Sequence, residues 1–283
     1  MKIAKSIAET RAAARALKSS GKKLGLVPTM GALHDGHLSL VRLAKQQCDA
    51  VAVSIFVNPK QFGPNEDFAK YPRSFERDRE MLDAEGVGLL FAPTVDEMYP
   101  PGSTTFVNVE GVSERLDGAS RPGHFRGVTT VVSKLFNIVE PDKAFFGQKD
   151  AAQVAIIKRM VCDLDLPVEI VVGPILREPD GLAMSSRNAY LNAKERKQAL
   201  VSSRALKKVE SSIRNGTEGT NQLIEAARQV FADEPEVRVD YVAIVNPETL
   251  ESVENVRNGA LIAVAAYVGS TRLIDNLLVE PTK

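Results

Sequence analysis

The chain has 283 residues, 44% apolar and 25% charged, the balance of a soluble globular protein with one large or two modest domains. Lys plus Arg and Asp plus Glu number 36 each, so no global field draws it to nucleic acid or a membrane surface, and any anion site must be local. Two cysteines make no disulfide framework, and neither a signal-like apolar segment nor a run of membrane-spanning length occurs; the expected setting is the reducing cytosol.

Residues 2–20 alternate charge and alanine, which predicts one amphipathic surface helix ending near Gly21. Leu24–Val27 reads as a buried strand with Gly25 inside. The chain then breaks at Pro28, Thr29 and Gly31 and resumes around Gly36 with the helical apolar spacing of Leu38, Val41, Leu43 and Ala44. Strand, small-residue turn and helix in succession point backbone N–H groups and the positive end of a helix dipole at an anion. His34 and His37, two of only three histidines, fall in this turn and share a face where the backbone is helical. Near neutral pH an imidazole donates readily to phosphate oxygens. The pair also reads as a surface coincidence or as half of a metal site. Zinc needs three or four ligands, and His124, Cys48 and Cys162 stand far away without paired spacing.

Val51–Val57 is continuous and β-branched, as in a strand covered on both faces; it ends at Asn58-Pro59, with Gln61 and Phe62 in a loop. Residues 74–86 predict a helix and 87–91 a strand. After YPPGSTT come a short strand at 105–109 and an apolar helix at 127–139. Lys143–Phe146 then runs as a strand into GQKD, followed by a helix at 150–163 and a strand at 168–172. Strands alternating with helices imply right-handed crossovers and a doubly wound parallel sheet. Ligands of such sheets lie outside the carboxyl ends of the strands, so segments 28–37, 58–61 and 147–153 should meet on one rim. From about residue 176 helices come first and strands afterwards, which predicts a smaller, antiparallel α+β domain. The expected domains are 1–175 and 176–283. In GQKD, Lys149 can neutralise phosphate, while Asp150 reads either as a helix cap or as a carboxylate that places Mg²⁺. In EPDGLAMSSRN, residues 178–188, two adjacent hydroxyls and Arg187 offer donors to a polyphosphate, in a composition that solvated loops also have.

PTMGALHDGH, SIFVNPKQF, YPR, RPGHFRGV, FFGQKD and DGLAMSSRNAYL together resemble the pantothenate synthetase (pantoate–β-alanine ligase) family, in order over nearly all of the first 190 residues; TRLIDN extends the likeness into the last third. That family belongs to the nucleotidyltransferases, which share HxGH and KMSKS-like elements with class I aminoacyl-tRNA synthetases. The resemblance implies a Rossmann-like first domain, a small C-terminal lid and a homodimer acting on small molecules. It also implies condensation of (R)-pantoate with β-alanine, with ATP and Mg²⁺, through a bound pantoyl adenylate. Carried over by position, ATP would lie along Met30, Gly31, Ala32, Leu33, His34, Asp35, Gly36 and His37, along Gly147, Gln148, Lys149 and Asp150, at Leu176, and along Met184, Ser185, Ser186 and Arg187. Gln61 and Gln153 would hold pantoate, with Gln61 also near β-alanine. His37 matches the proton donor, assisted by His34, Lys149, Ser185 and Arg187. The metal would ride on ATP phosphates, with Asp150 the candidate protein ligand. Family members often read GEKD-xQQ where this chain reads GQKD-AAQ, so Gln148 replaces an acid and Ala152 an amide.

A pantoate carboxylate is already ionised, so adenylation needs two anions brought together rather than a general base; positioning and preorganised cations should dominate. The mixed anhydride hydrolyses readily, which gives a water-excluding lid a chemical purpose. Two other classes fit parts of the pattern: a nucleotidyltransferase that adenylylates a phosphate-bearing acceptor and releases a dinucleotide, and a catalytically idle nucleotide-binding protein.

Overall fold

The computed structural model describes residues 1–64 and 66–281. A six-stranded parallel sheet is built from β1 (Lys2–Ala4), β2 (Leu24–Thr29), β3 (Ala50–Ile55), β4 (Leu89–Phe91), β5 (Lys143–Gly147) and β6 (Glu169–Gly173), in the order β1-β4-β3-β2-β5-β6. Helices α1 (Ile7–Leu17), α2 (Asp35–Gln47), α3 (Phe75–Ala84), α4 (His124–Val139) and α5 (Ala151–Asp163) flank it. Alternation along the central strands explains why both faces are covered. Leu24, Leu26, Ala52 and Ala144 join the core under α1, α4 and α5. Val27, Val51, Val53 and Phe145 join the core under α2 and α3. Gly25 is required where it stands, since a Cβ there would lie 3.0 Å from the Phe145 ring and 3.1 Å from Cys48 Sγ.

Two expected elements differ. The N-terminal helix begins only at Ile7, where Ser6 and Glu9 form a capping box; Lys2–Ala4 instead pairs in parallel with Leu89–Phe91 at the sheet edge. Three residues with a partner more than eighty positions away leave no periodic signal. Residues 105–109 belong to no sheet; the Val107 backbone is satisfied instead by side chains of α4: its N–H donates to Thr130 Oγ1 (3.0 Å) and its carbonyl accepts from Thr129 Oγ1 (2.7 Å).

The last third contains α6 (Ala193–Arg214), α7 (Thr220–Ala232) and an antiparallel sheet of β7 (Arg238–Val245), β8 (Ala260–Val268) and β9 (Thr271–Val279), in the order β7-β8-β9. One face of this sheet, with Ile244, Ile262 and Val264, packs on α6 and α7. Val245, Leu261 and Ala263 turn the other way and join the core of the parallel sheet. Among the described residues no helix is long and apolar enough to cross a membrane.

Candidate active site

From β2 the chain proceeds to β3 and β4 on one side, then returns to place β5 on the other side of β2. The sheet order therefore reverses between β2 and β5, and a crevice opens at their carboxyl ends. His34 and His37 follow β2, and Gly147–Asp150 closes β5, so two segments distant in sequence meet there.

The turn after β2 is shaped by a buried carboxylate. Asp78 on α3 is 1% exposed and accepts the N–H groups of Ala32 (2.7 Å) and Leu33 (2.9 Å) and the Ser74 hydroxyl (3.0 Å). Gly31 and Ala32 both take positive φ, at 82° and 50°. Two of the backbone N–H groups expected to face an anion, those of Ala32 and Leu33, are thus consumed by Asp78, and the imidazoles stand beside the rest of the turn. His34 and His37 lie with ring centroids 4.1 Å apart. His34 fits only because residue 36 is glycine, where a Cβ would meet the ring at 2.9 Å. Among the described residues its buried Nδ1 finds no partner, a state that calls for a ligand group or water. Desolvation lowers the His34 pKa, as does the Lys149 charge. Desolvation, and then the neighbouring His34, push His37 down to about 3. The His34 backbone N–H makes a long bond, 3.4 Å, to His37 Nδ1. This favours the tautomer with its proton on Nε2. Near pH 7 the site therefore offers a neutral N–H donor at His37.

A second group of residues surrounds Gln61, which is 9% exposed. Its Oε1 accepts from Asn58 Nδ2 at 3.0 Å, and its Nε2 lies 3.2 Å from Met30 Sδ, leaving one amide hydrogen for a ligand. Asn58 also donates to the Gly127 carbonyl, and Tyr99 donates to Asn58 Oδ1, both at 3.0 Å. His124 Nδ1 contacts the Gln61 carbonyl at 2.8 Å and its Nε2 contacts Arg121 at 3.0 Å. Arg121 is held by Glu66 through bonds of 2.7 and 2.6 Å. Local sequence assigns no role to Arg121, His124, Asn58, Asp78 or Tyr71, although YPR and RPGHFRGV contain three of them. Their signal was a third histidine beside two arginines in a glycine-containing stretch; what was missing was its distance from Gln61.

The third wall is the segment after β6. Ser186 Oγ donates to the Ala32 carbonyl at 3.0 Å, joining this loop to the histidine turn. Arg187, expected as a free phosphate donor, forms a two-point pair with Asp67 at 2.9 and 3.0 Å and lies over the Tyr71 ring. Ser185 Oγ accepts the Arg187 N–H at 3.3 Å, capping the short turn.

These walls enclose a cavity of about 230 Å³ that opens toward a larger one of about 830 Å³. Met30, His34, Gly36, His37, Gln61, Gly147, Lys149, Asp150, Gln153, Leu176, Met184, Ser185, Ser186 and Arg187 all line the first. Gly31, Ala32, Leu33, Asp35 and Gln148, expected beside them, are absent from that wall. Leu33 is a core side chain and Asp35 is exposed. Gln148 turns away to donate to Asn276 Oδ1 at 3.0 Å. Ala152 is buried in the core, so no amide there reaches the cavity. Among the described residues, Asp150 is the one acid on the first wall, facing the cations Lys149, Arg121 and Arg187. Each of these cations is paired in turn: Lys149 with Asp150, Arg121 with Glu66 and Arg187 with Asp67.

A doubly wound parallel sheet with imidazoles, a lysine and a serine–arginine loop at its switch point defines an enzyme that handles phosphate-bearing substrates. Comparison with known proteins sharpens this class. The family model of pantoate-β-alanine ligase matches residues 2–278. A pantothenate synthetase of Acidobacterium capsulatum is 60% identical, covering 100% of this chain and 98% of its own length. One of Koribacter versatilis is 58% identical over 99% and 96%. The crystal structure of pantothenate synthetase from Thermus thermophilus superposes with a TM-score of 0.94 at 48% identity, covering 99% of this chain and 100% of that one. A Francisella tularensis pantoate-β-alanine ligase, complexed with β-γ ATP and β-alanine, gives 0.77 at 35% identity, covering 98% and 97%. The chain belongs to the pantoate–β-alanine ligase family. It is an ATP-dependent ligase that condenses pantoate with β-alanine.

Proposed function

We propose that the reaction runs through a pantoyl adenylate made and held in the cavity at the β2–β5 switch point. A pantoate carboxylate oxygen attacks the α-phosphorus of ATP, and the bond to the pyrophosphate oxygen breaks. The β-alanine amine then attacks the acyl carbon, loses a proton and expels AMP. The observation that carries this reading is the meeting, around one cavity, of the histidine turn, the Gly147–Asp150 turn and the Ser185–Arg187 loop.

Each wall has a role. His34 and His37 donate N–H groups to phosphate oxygens, the neutral His37 serving without any gain or loss of charge. Lys149, with Arg187 and Ser185, offsets charge on the leaving pyrophosphate. To be used fully, Arg187 exchanges part of its Asp67 pair for phosphate, so Asp67 holds it ready. Gly147, Leu176 and Met184 offer surface to the nucleoside. Gln61 and Gln153 hold pantoate, whose two methyl groups suit the apolar lining of Phe56, Val128, Val131 and Leu135. Among the described residues Asp150 alone offers the first cavity a carboxylate, and no group of three or more His, Cys, Asp and Glu stands ready for a metal ion. That donor set fits Mg²⁺ carried mainly by phosphate oxygens, where it would neutralise charge between them. Gln61 also borders the β-alanine position, and the larger cavity is the route by which that substrate reaches the adenylate.

Water exclusion belongs to the loop that Ser186 and Arg187 tie across the cleft. We take 1–175 and 176–283 as the two domains, the second supplying the lid through that loop, in a cytosolic homodimer. The free cysteines Cys48 and Cys162 suit a reducing compartment.

Rapid-quench measurement of pyrophosphate tests the intermediate. With ATP, Mg²⁺ and pantoate but no β-alanine, a burst near one per active site is expected, followed by slow release. Arg187→Ala should raise the slow phase relative to the burst. A trace without pyrophosphate until β-alanine is added removes the adenylate.

A further inference from the structure

Asp275 and Asn276 are adjacent on β9, and both are buried, at 4% and 3% exposure. Adjacent residues of a strand point to opposite faces, and here each face meets a different wall of the site. Asp275 binds Arg177 through both carboxylate oxygens, at 2.6 and 3.0 Å. Arg177 also donates to the carbonyl of Gly181, in the turn of the short hairpin whose Arg177–Ala183 bridge leads to Ser185–Arg187. Asn276 spends its two amide hydrogens on the carbonyls of Gln148 (3.0 Å) and Lys149 (2.9 Å). Both partners are pure acceptors, so the amide orientation follows from the network, and Oδ1 is left to receive Gln148 Nε2.

The turn held this way has little internal support. Asp150 makes no side-chain capping bond, and among the described residues the Lys149 side chain contacts only Asp150 as an ion pair, at 3.6 Å. The geometry points to Asn276 as a positioning residue: from the C-terminal sheet it fixes the backbone from which Lys149 reaches the cleft, while Asp275 fixes the opposite loop. This inference rests on the reading of Lys149 as a phosphate-holding group. It also accounts for Gln148, whose amide serves Asn276 and leaves the nucleotide to Lys149.

Calorimetric titration of ATP into wild type, Asn276→Ala, Lys149→Ala and the double variant tests it. Asn276→Ala should weaken ATP binding on the order of tenfold, the scale for a displaced supporting group. In the Lys149→Ala background the same change should cost nothing further, because non-additivity marks action through a shared group. Asn276→Ser keeps one donor, should lose less in the wild-type background, and serves if the alanine variant does not fold. Equal losses in both backgrounds, or no loss in either Asn276 variant, overturns the positioning role. If Lys149→Ala alone binds ATP like wild type, the phosphate-site reading fails first, and is recognised separately.

Discussion

At His37 the environment decides which kind of hydrogen-bond donor the site holds. Burial, with His34 next to it, pushes the imidazole down to about 3; burial, with Arg121 next, pushes His124 down to about 4. His34 is lowered as well. The unfolded chain carries ordinary histidines near 6.5, so below that pH it takes up protons that the folded chain refuses. The stability that these imidazoles contribute is complete above about pH 6.5 and is lost as pH falls toward each folded value. The loss is at most about 1.4 kcal/mol per pH unit for each histidine. Urea unfolding should therefore show falling stability from about pH 6.5 down to about 4.5, and His37→Asn should flatten that limb. An acid limb equally steep in both proteins contradicts a neutral His37.

Among elements, α4 and the short turn at Pro59–Gln61 depend on a single glycine. A Cβ on Gly127 would stand 2.2 Å from the Lys60 carbonyl oxygen and 2.6 Å from the Gln61 nitrogen, while the Gly127 carbonyl accepts from Asn58. Helix and turn thus pack backbone to backbone, and this contact sets Gln61 within the cavity. Gly127→Ala must push them apart, at a cost of roughly 1–3 kcal/mol for overpacking, and should raise the pantoate KM more than the ATP KM. Thermal unfolding with paired substrate titrations measures both effects; a variant with unchanged pantoate KM would separate Gln61 from that substrate.

Across the whole molecule the two sheets share more than a polar seam. Val245, Leu250, Leu261 and Ala263 from the last third are buried in the same cluster as Leu24, Phe91 and Ala144 from the first. Arg272 on β9 pairs with Asp117 at 2.6 Å and with Asp240 at 2.7 Å, and Arg115 reaches Glu251 at 2.9 Å. A lid that swings as a unit would expose that apolar contact, whereas the Ser185–Arg187 loop can open by releasing a few polar bonds. Calorimetric unfolding is expected as one cooperative transition. Two resolved transitions would mean that the last third melts by itself, and would return the opening motion to the larger unit.

What was legible in the sequence was whatever repeats or punctuates locally. Continuous apolar runs at 24–27, 51–57 and 143–146 announced strands covered on both faces, and Gly, Pro and paired histidines marked the turns that follow them. The long motifs carried the family, and the order of strands and helices carried the doubly wound sheet and the antiparallel C-terminal sheet. Tertiary structure alone decided the rest, because those facts are distances between remote residues. The edge strand at Lys2–Ala4 exists only through β4, and at 105–109, outside any sheet, two helix threonines satisfy Val107. Asp78 takes two of the N–H groups that the turn seemed to offer an anion, and Asp67 holds Arg187. Arg121 and His124 reach Gln61 across sixty residues, and Asn276 reaches the lysine turn across more than a hundred. Local pattern determines which residues lie at strand ends and in turns; packing determines which of their polar atoms remain free for a substrate.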